Sequence, residues 1–546
     1  MELTNQNFQD YLPWVLYELT TSCFVALDLE LSGIPFSPTG QAPRVQSLQE
    51  RYAETKAAAE KYQVLQVGLT ICHEDPKTGT YVLKPYNINV NPLVERGLNI
   101  NRDWTFMSWS VEFLAKNHFS IDDLSKHGVR YLSRSEEADA MKRIQQKYTP
   151  FKAAKDDGET QTYLTELRQS INNWMSQGAK RDTYLNLPLT SLQEKESGLT
   201  LLPALQKSQR WFIHHLVNTE YPALHSRNKN NFVQIETKRP GDHQTKEGKL
   251  DLAYQRVQKH SGLRWLIEAL VGGDLSGLDA TTFRPILSKV ANPTITLDHV
   301  SQRMKARLKE KRTVFVGHNC YTDLVFFYQC FLGALPETVE EFQARIHQLF
   351  PVLVDTKHLA SHFSPSAKSS LEEVSRNIAK LSSPTINVDA LHNRYFYKAS
   401  THQAGYDSML TAVAFIRLST LLHQGQKIQS KTRGTLQEIN IGMSPVMEVD
   451  VEKAFLDELS GSTRNFLDFF DVDHEASMAQ GTSHLVLEET GDRAIAGMVA
   501  RGTLIPRLGS KFWVDNANRL QIFGTVSKVL QLGKTRPGAG PEITWG

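Results

Sequence analysis

The chain has 546 residues, too many for one ordinary domain and enough for two to four of roughly 100–200 residues each. Its formal net charge of +2 and pI near 8.2 exclude a strongly basic polyanion binder, so any affinity for nucleic acid must come from local patches. No apolar run reaches the roughly 18–20 residues of a membrane span, and the N-terminus lacks the charged-then-apolar layout of a secretory signal. The four cysteines, Cys23, Cys72, Cys320 and Cys330, form no Cys-x-x-Cys pair, which fits reduced thiols. The expectation is a soluble protein, with no membrane partner, in the nucleus, the cytoplasm or both.

In chain order, residues 4–20 place Leu12, Val15, Leu16 and Leu19 at helical spacing. The apolar run Phe24–Leu27 then reads as a buried strand. At its end Asp28 and Glu30 stand two residues apart, so both carboxylates point to one face. A divalent cation would offset their repulsion and lost hydration; the alternative is a strand whose charged side faces water. A helix over 46–61 follows, then two strands, 62–74 and 80–91, around the turn Pro76-Lys77-Thr78-Gly79. Residues 107–118 read as a helix, and Ser120-Ile-Asp-Asp as the capped start of another.

From 135 to 175 the chain turns helical and charged. Gln-Arg-Trp-Phe-Ile-His-His, within 205–236, leads into a Tyr-Pro turn and a strand, and the Pro- and Gly-broken stretch after it reads as a linker, set at 241–254. Gly272-Gly273-Asp-Leu-Ser-Gly277 lacks the Lys-Ser/Thr of a phosphate loop and reads as a turn. Residues 303–312 form a basic helix, by default a solvated face, with an RNA track as the alternative. The strand Thr-Val-Phe-Val at 313–316 is followed by a turn and by Asp323, which opens an apolar helix. A short strand ends in Asp355-Thr356-Lys357. His402 precedes a long helix over 403–423, Asp407 lies near its start, and strand and helix signals continue into a tail from 429. Strand, helix and strand in alternation predict an α/β fold, a mixed sheet flanked by helices.

Three motifs recur at the ends of apolar elements in a fixed order: Asp-x-Glu (Asp28, Glu30), Asn-x-x-x-Asp (Asn319, Asp323) and His-x-x-x-x-Asp (His402, Asp407). They are similar to those of the DEDD exonucleases in the version with a histidine before the last aspartate. Phe-Val-Ala-Leu-Asp-Leu-Glu-Leu-Ser-Gly-Ile, Tyr-Gln-Val-Leu-Gln-Val-Gly-Leu, Phe-Leu-Ala-Lys-Asn-His-Phe, Val-Gly-His-Asn, Leu-Val-Asp-Thr-Lys and His-Gln-Ala-Gly-Tyr-Asp further resemble the poly(A)-specific ribonuclease (PARN) family, over roughly 1–150 and 255–425. The resemblance implies a ribonuclease H-like nuclease domain in two parts, 1–150 and 255–428, around an inserted nucleic-acid-binding domain at 151–240. Arg210 and His214 give that insert's Arg-x-x-x-His pattern and would lie on one helix face, where they could meet a phosphate. The alternative there is an amphipathic helix with Arg210 merely solvated. A small α/β domain is expected over 429–546, without an aromatic RNA-recognition signature.

Asp28, Glu30, Asp323 and Asp407 are hard oxygen ligands suited to Mg²⁺, with Mn²⁺ as a substitute, rather than zinc. Two ions are expected. Five helical residues advance about 500°, so His402 and Asp407 on one helix would diverge by about 140°. His402 is therefore expected on the loop before the helix, curled back as general base, work that suits an imidazole. The resemblance further implies that Asn319 and Lys357 contact RNA and that Leu31, Ile34 and Phe113 form the wall against which terminal bases stack. Leu31 replaces a frequent aromatic and cannot π-stack; for Phe113 the alternative is core packing. The activity implied is 3′→5′ hydrolysis of single-stranded RNA, poly(A) first, by a homodimer. Base-tolerant 3′ trimming of small RNAs, an inert RNA-binding scaffold and a DNA proofreading exonuclease are the other readings.

Overall fold

The computed structural model describes residues 1–35, 45–148, 158–178, 181–187, 205–238, 246–290, 292–311, 313–363, 370–395, 402–425, 494–495, 497–499 and 501–533. They form two compact units: one of Met1–Val94, Asn101–Ser135 and the described residues from Ser261 on, the other of Glu95–Ile100 and Glu136–His260. The strands, in chain order, are β1 (Glu2–Leu3), β2 (Phe24–Leu31), β3 (Val64–Asp75), β4 (Thr80–Asn91), β5 (Val129–Arg130), β6 (Tyr184–Leu187) and β7 (Leu224–Asn228). They continue with β8 (Val233–Thr237), β9 (Val314–Gly317), β10 (Leu353–Asp355), β11 (Thr385–Val388), β12 (Arg519–Gln521) and β13 (Val529–Gln531).

In the first unit a mixed eight-stranded sheet runs β1-β4-β3-β2-β9-β10, with β5 and β11 also on β4. β2 lies antiparallel to β3 and parallel to β9. Its alternation orients the acids. Val25, Leu27 and Leu29 enter one core with Leu12, Val15 and Leu16 of the helix Phe8–Thr21. Phe24 and Ala26 enter the opposite core with Met409, Val413 and Phe415 of the helix Ala404–Gln424. By the period of two, Asp28 and Glu30 face the long helix.

That helix comes close because β3 lets it. Gly68 pairs with Asp28 in the sheet register, and a Cβ on Gly68 would meet the Ala404 carbonyl oxygen at 1.8 Å. Two sheet amides receive the helix start: Ala404 N–H donates to Gln66 Oε1 at 2.8 Å and Gly405 N–H to Asn87 Oδ1 at 2.9 Å. They satisfy groups that an α-helix leaves open at its first turn. One turn on, the hydroxyls of Thr70 and Ser408 share a buried hydrogen bond of 2.9 Å.

Most predicted elements occur where the periodicity puts them. The helix Leu48–Lys61 begins with a capping box of Ser47 and Glu50, and Ser120 caps Ile121–His127 through the Asp123 N–H. Residues 303–310 of the basic run lie on the helix Leu297–Glu310, which buries Val300, Met304 and Leu308 and leaves Arg307 and Lys309 exposed, and Arg312 lies outside the described residues. The second unit packs the helices Gly158–Ser176 and Lys207–Glu220 with the antiparallel sheet β6-β8-β7 around Leu164, Ile171, Trp174, Ile213, Val233 and Ile235.

Two expectations need revision. The linker set at 241–254 gives way to a helix from Lys246 to His260, because good helix formers fill it and Val257 and His260 are buried one turn apart. Pro240 and Gly241, the breakers behind the linker reading, lie outside the described residues. Residues 429–493, the first part of the tail with its strand and helix signals, also lie outside them. Lys511-Phe-Trp-Val opens the helix Lys511–Asn516, whose Phe512 and Trp513 enter the second core, while Leu520 and Leu530 of the β12–β13 hairpin enter the first. The described tail thus belongs to the sheet unit. Among the described residues no helix is long and apolar enough to cross a membrane.

The Gly68 contact is testable. Gly68→Ala should force the Ala404 backbone away and lower stability by about 1–3 kcal/mol, read as a drop in the urea midpoint. An unchanged midpoint would contradict so close an approach.

Candidate active site

Four carboxylates meet at the ends of core elements. Asp28 and Glu30 close β2. Asp323 sits in the first turn of the helix Tyr321–Phe327, which leaves β9 through a turn with Asn319 in the left-handed region (φ 54°). Asp407 occupies the first turn of Ala404–Gln424. Burial holds the Asp28 carboxyl well above the usual range, and the charges of Asp407, Asp323 and Glu30 push it the same way. Glu30 is raised by burial first and then by Asp407 and Asp323. Asp323 and Asp407 are each pushed up to about 7, chiefly by burial. Every charge acting on Asp28 is thus another carboxylate, an arrangement that calls for cations. The donors are hard oxygens, so the residues fit Mg²⁺ or Mn²⁺.

His402 stands where the 140° argument puts it, on the loop before the long helix. Its backbone is left-handed (φ 64°), and its N–H donates to Asp407 Oδ2 at 3.1 Å. The ring therefore returns toward the acids. Glu30, His402 and Asp407 each offer a ligand atom, all within 4.8 Å of one another.

Phe113 is not a core residue. It is 44 % exposed and meets the His402 ring edge-on, centroids 4.5 Å apart. Its helix, Ser108–Lys116, is tied to the end of β2: Met107 N–H donates to the Ser32 carbonyl at 2.8 Å, and Ser32 Oγ to the Thr105 carbonyl at 2.7 Å. Ile34 is 52 % exposed, and Leu31 is half-buried beside the first core. Asn319 is exposed and Lys357 buried.

A further acid joins these last two. Asp355, fully buried at the end of β10, accepts from Asn319 N–H (2.7 Å) and Lys357 N–H (2.9 Å) on Oδ1 and from Gln521 N–H (2.9 Å) on Oδ2. Burial lifts its carboxyl to about 6 against the pull of those bonds, and its charge in turn raises Asp323. The sequence reading passed over Asp355, although an acid closing a fully apolar strand is the same signal that marked Asp28. It likewise missed Gly68 and Gln66.

In the second unit, Arg210 donates to the carbonyls of Leu205 (3.2 Å), Lys229 (2.8 Å) and Asn230 (2.6 Å), clamping the loop between β7 and β8. His214 bonds Ser226 and Asn228 at 2.7 and 3.0 Å. It also lines a cavity of about 560 Å³ with Arg143, Trp211 and His215. The two residues are one turn apart on the helix Lys207–Glu220, as the spacing predicts; Arg210 braces the β7–β8 loop and His214 holds strand β7.

A mixed sheet carrying crowded carboxylates with a histidine turned over them defines a metal-dependent nuclease. The chain belongs to the CAF1 family of ribonucleases, whose pattern matches residues 3–415. It is 26 % identical over 446 residues to an uncharacterized protein of Schizosaccharomyces pombe, covering 76 % of this chain and 92 % of that one. It is 23 % identical to the pre-piRNA 3′-exonuclease trimmer of Bombyx mori (77 % and 71 % covered) and 25 % to the poly(A)-specific ribonuclease PARN of Arabidopsis thaliana (76 % and 62 %). The chain thus spans less than two thirds of that plant enzyme. Among solved structures it is similar to Pop2p of S. pombe with Mg²⁺ and Mn²⁺ bound, at 11 % identity and a TM-score of 0.33, covering 76 % of this chain and 90 % of that one.

Carboxyls raised by burial keep protons that the unfolded chain has already released. In metal-free protein the stability they allow is therefore lost as pH rises from the ordinary carboxylate range through about 7, the value for Asp323 and Asp407. The expected outcome in EDTA is a Tm that falls between about pH 5 and about pH 8 and a flatter profile for Asp28→Asn, read by calorimetry. A wild-type Tm that rises over that range would count against the crowding.

Proposed function

We propose that the protein is a metal-dependent 3′→5′ exoribonuclease that shortens poly(A) tails and releases 5′-nucleotides. The observation that carries this reading is the meeting of Asp28, Glu30, Asp323 and Asp407 beneath His402. When bound, two divalent ions would lower the pKa of the attacking water and stabilise the charge on the phosphate and the leaving 3′-oxygen. The four carboxylates would hold them. His402 accepts the water's proton on a ring nitrogen; the bond from its own N–H to Asp407 fixes the loop that carries the ring.

Phe113, exposed against the His402 ring, and with it Ile34 and Leu31, give the terminal base an apolar wall. Asn319 and Lys357, whose backbone N–H groups are both anchored on Asp355, contact the RNA strand. Arg210 and His214 act on RNA through the backbone they hold, the β7–β8 loop for Arg210 and strand β7 for His214. A homodimer is part of the proposal, as is action in the nucleus, the cytoplasm or both.

One observation favours a second reading, the base-tolerant 3′ trimmer. Leu31 supplies an aliphatic surface where a stacking ring would select a purine, and only Phe113 remains as an aromatic in the proposed wall. The test uses Mg²⁺ and 5′-labelled RNAs of one body ending in runs of A, U or C. A deadenylase shortens the A tail alone; a trimmer shortens all three stepwise. Asp28→Ala and Asp407→Ala should each lower kcat more than about a hundredfold, and a single 2′-deoxy 3′ end should slow cleavage if RNA is the proper substrate. If no tail shortens with Mg²⁺ or Mn²⁺, the inert scaffold reading replaces both.

A further inference from the structure

The family match ends at residue 415, yet the chain returns to the catalytic unit well beyond it. The β12–β13 hairpin is fastened to the outer edge of β10. Leu353 N–H donates to Asn518 Oδ1 at 3.0 Å, Asn518 N–H to the Leu353 carbonyl at 2.6 Å, and Asn518 Nδ2 to the Pro351 carbonyl at 2.9 Å. Its tip is held by a different part of the chain. Gln46 and Thr525 form a parallel bridge, in which Gln46 N–H donates to the Gly524 carbonyl at 2.9 Å and Val526 N–H to the Gln46 carbonyl at 3.0 Å.

Between these anchors the hairpin reaches the substrate side of the site. Gln521 N–H supplies a hydrogen bond to Asp355, the carboxylate on which Asn319 and Lys357 are already hung. Two residues later comes Phe523, half-buried, with its ring centroid 5.1 Å from Lys357 Nζ. The backbone bond to Asp355 fixes where the Lys357 side chain starts, not where its four-carbon stem ends. A ring face under the ammonium does that, because the aromatic quadrupole attracts the cation and narrows its rotamers.

We propose that Phe523 is a substrate-positioning residue: it aims the Lys357 ammonium at the phosphate backbone of the RNA 3′ end. The inference rests on the exoribonuclease reading and deepens it, since it makes the C-terminal hairpin, beyond the matched span, part of the RNA-binding surface. A purely structural Phe523 would need only bulk. A positioning Phe523 needs a ring, and needs Lys357.

The experiment compares full-length wild type, Phe523→Leu and Phe523→Tyr, each also with Lys357→Met, on a 5′-labelled A-tailed RNA. Phe523→Leu should raise KM by about 3- to 30-fold with kcat within about twofold, and Phe523→Tyr should restore KM. With Lys357→Met in place, Phe523→Leu should add nothing, and the salt dependence of binding should be shallower by about one phosphate contact. Should Phe523→Tyr be as defective as Phe523→Leu, or should the two losses multiply in the double variant, the ring only packs the hairpin and the proposal is wrong. Fluorescence anisotropy with a labelled RNA in EDTA reads the same variants without catalysis. A wild type that binds but does not cut with Mg²⁺ overturns the nuclease reading and leaves Phe523 to be judged on affinity; a wild type that neither binds nor cuts RNA overturns both.

Discussion

The mutual repulsion of four recessed carboxylates is the constraint that the catalytic unit is built to withstand. Asp28 and Glu30 are carried by the central strand, whose neighbours β3 and β9 flank it on both sides; Asp323 and Asp407 come from the first turns of helices packed into apolar cores. Such a cluster relaxes by moving apart or by taking up protons. Moving apart is prevented by packing: Phe24 and Ala26 below Asp28 share a core with the long helix, so separating the acids would open a cavity among fully buried side chains. Protons, and in the working enzyme cations, are what remain.

The long helix shows how local chemistry serves that constraint. An α-helix that begins beside a sheet would ordinarily leave open N–H groups facing buried strand, an expensive arrangement. Here Gln66 and Asn87 receive two of them, and Gly68 removes a Cβ that would keep the helix away from the strand. Asp407 is delivered by the sheet as much as by its own motif.

The core of the site was legible in the sequence wherever a periodic rule applies. Asp28 and Glu30 follow from a period of two at the end of an apolar strand, and the curled-back loop of His402 follows from the angular mismatch of a five-residue spacing. Phe113 was ambiguous, because an apolar stripe on a short helix looks the same whether it faces a core or a cleft; the Ser32 contacts that turn it toward His402 connect residues far apart in the chain. The same holds for Asp355, whose partners Asn319 and Gln521 are distant in sequence. Helix formers outweighed nearby breakers at Lys246–His260, where composition had suggested a linker. Long-range hydrogen bonds and close backbone approaches leave no periodic trace, and they carried what the sequence did not.

The hairpin on β10 sets an order of events during synthesis. Folding proceeds as the chain emerges from the ribosome, N-terminal parts first, and the acids, the histidine and the sheet are all available once the long helix has appeared. The third hydrogen bond to Asp355 and the outer partner of β10 are not, because both come from residues 518–521. A nascent chain can therefore assemble its acidic centre before residues 518–521 have emerged, but the surface that would grip an RNA end is finished only after them.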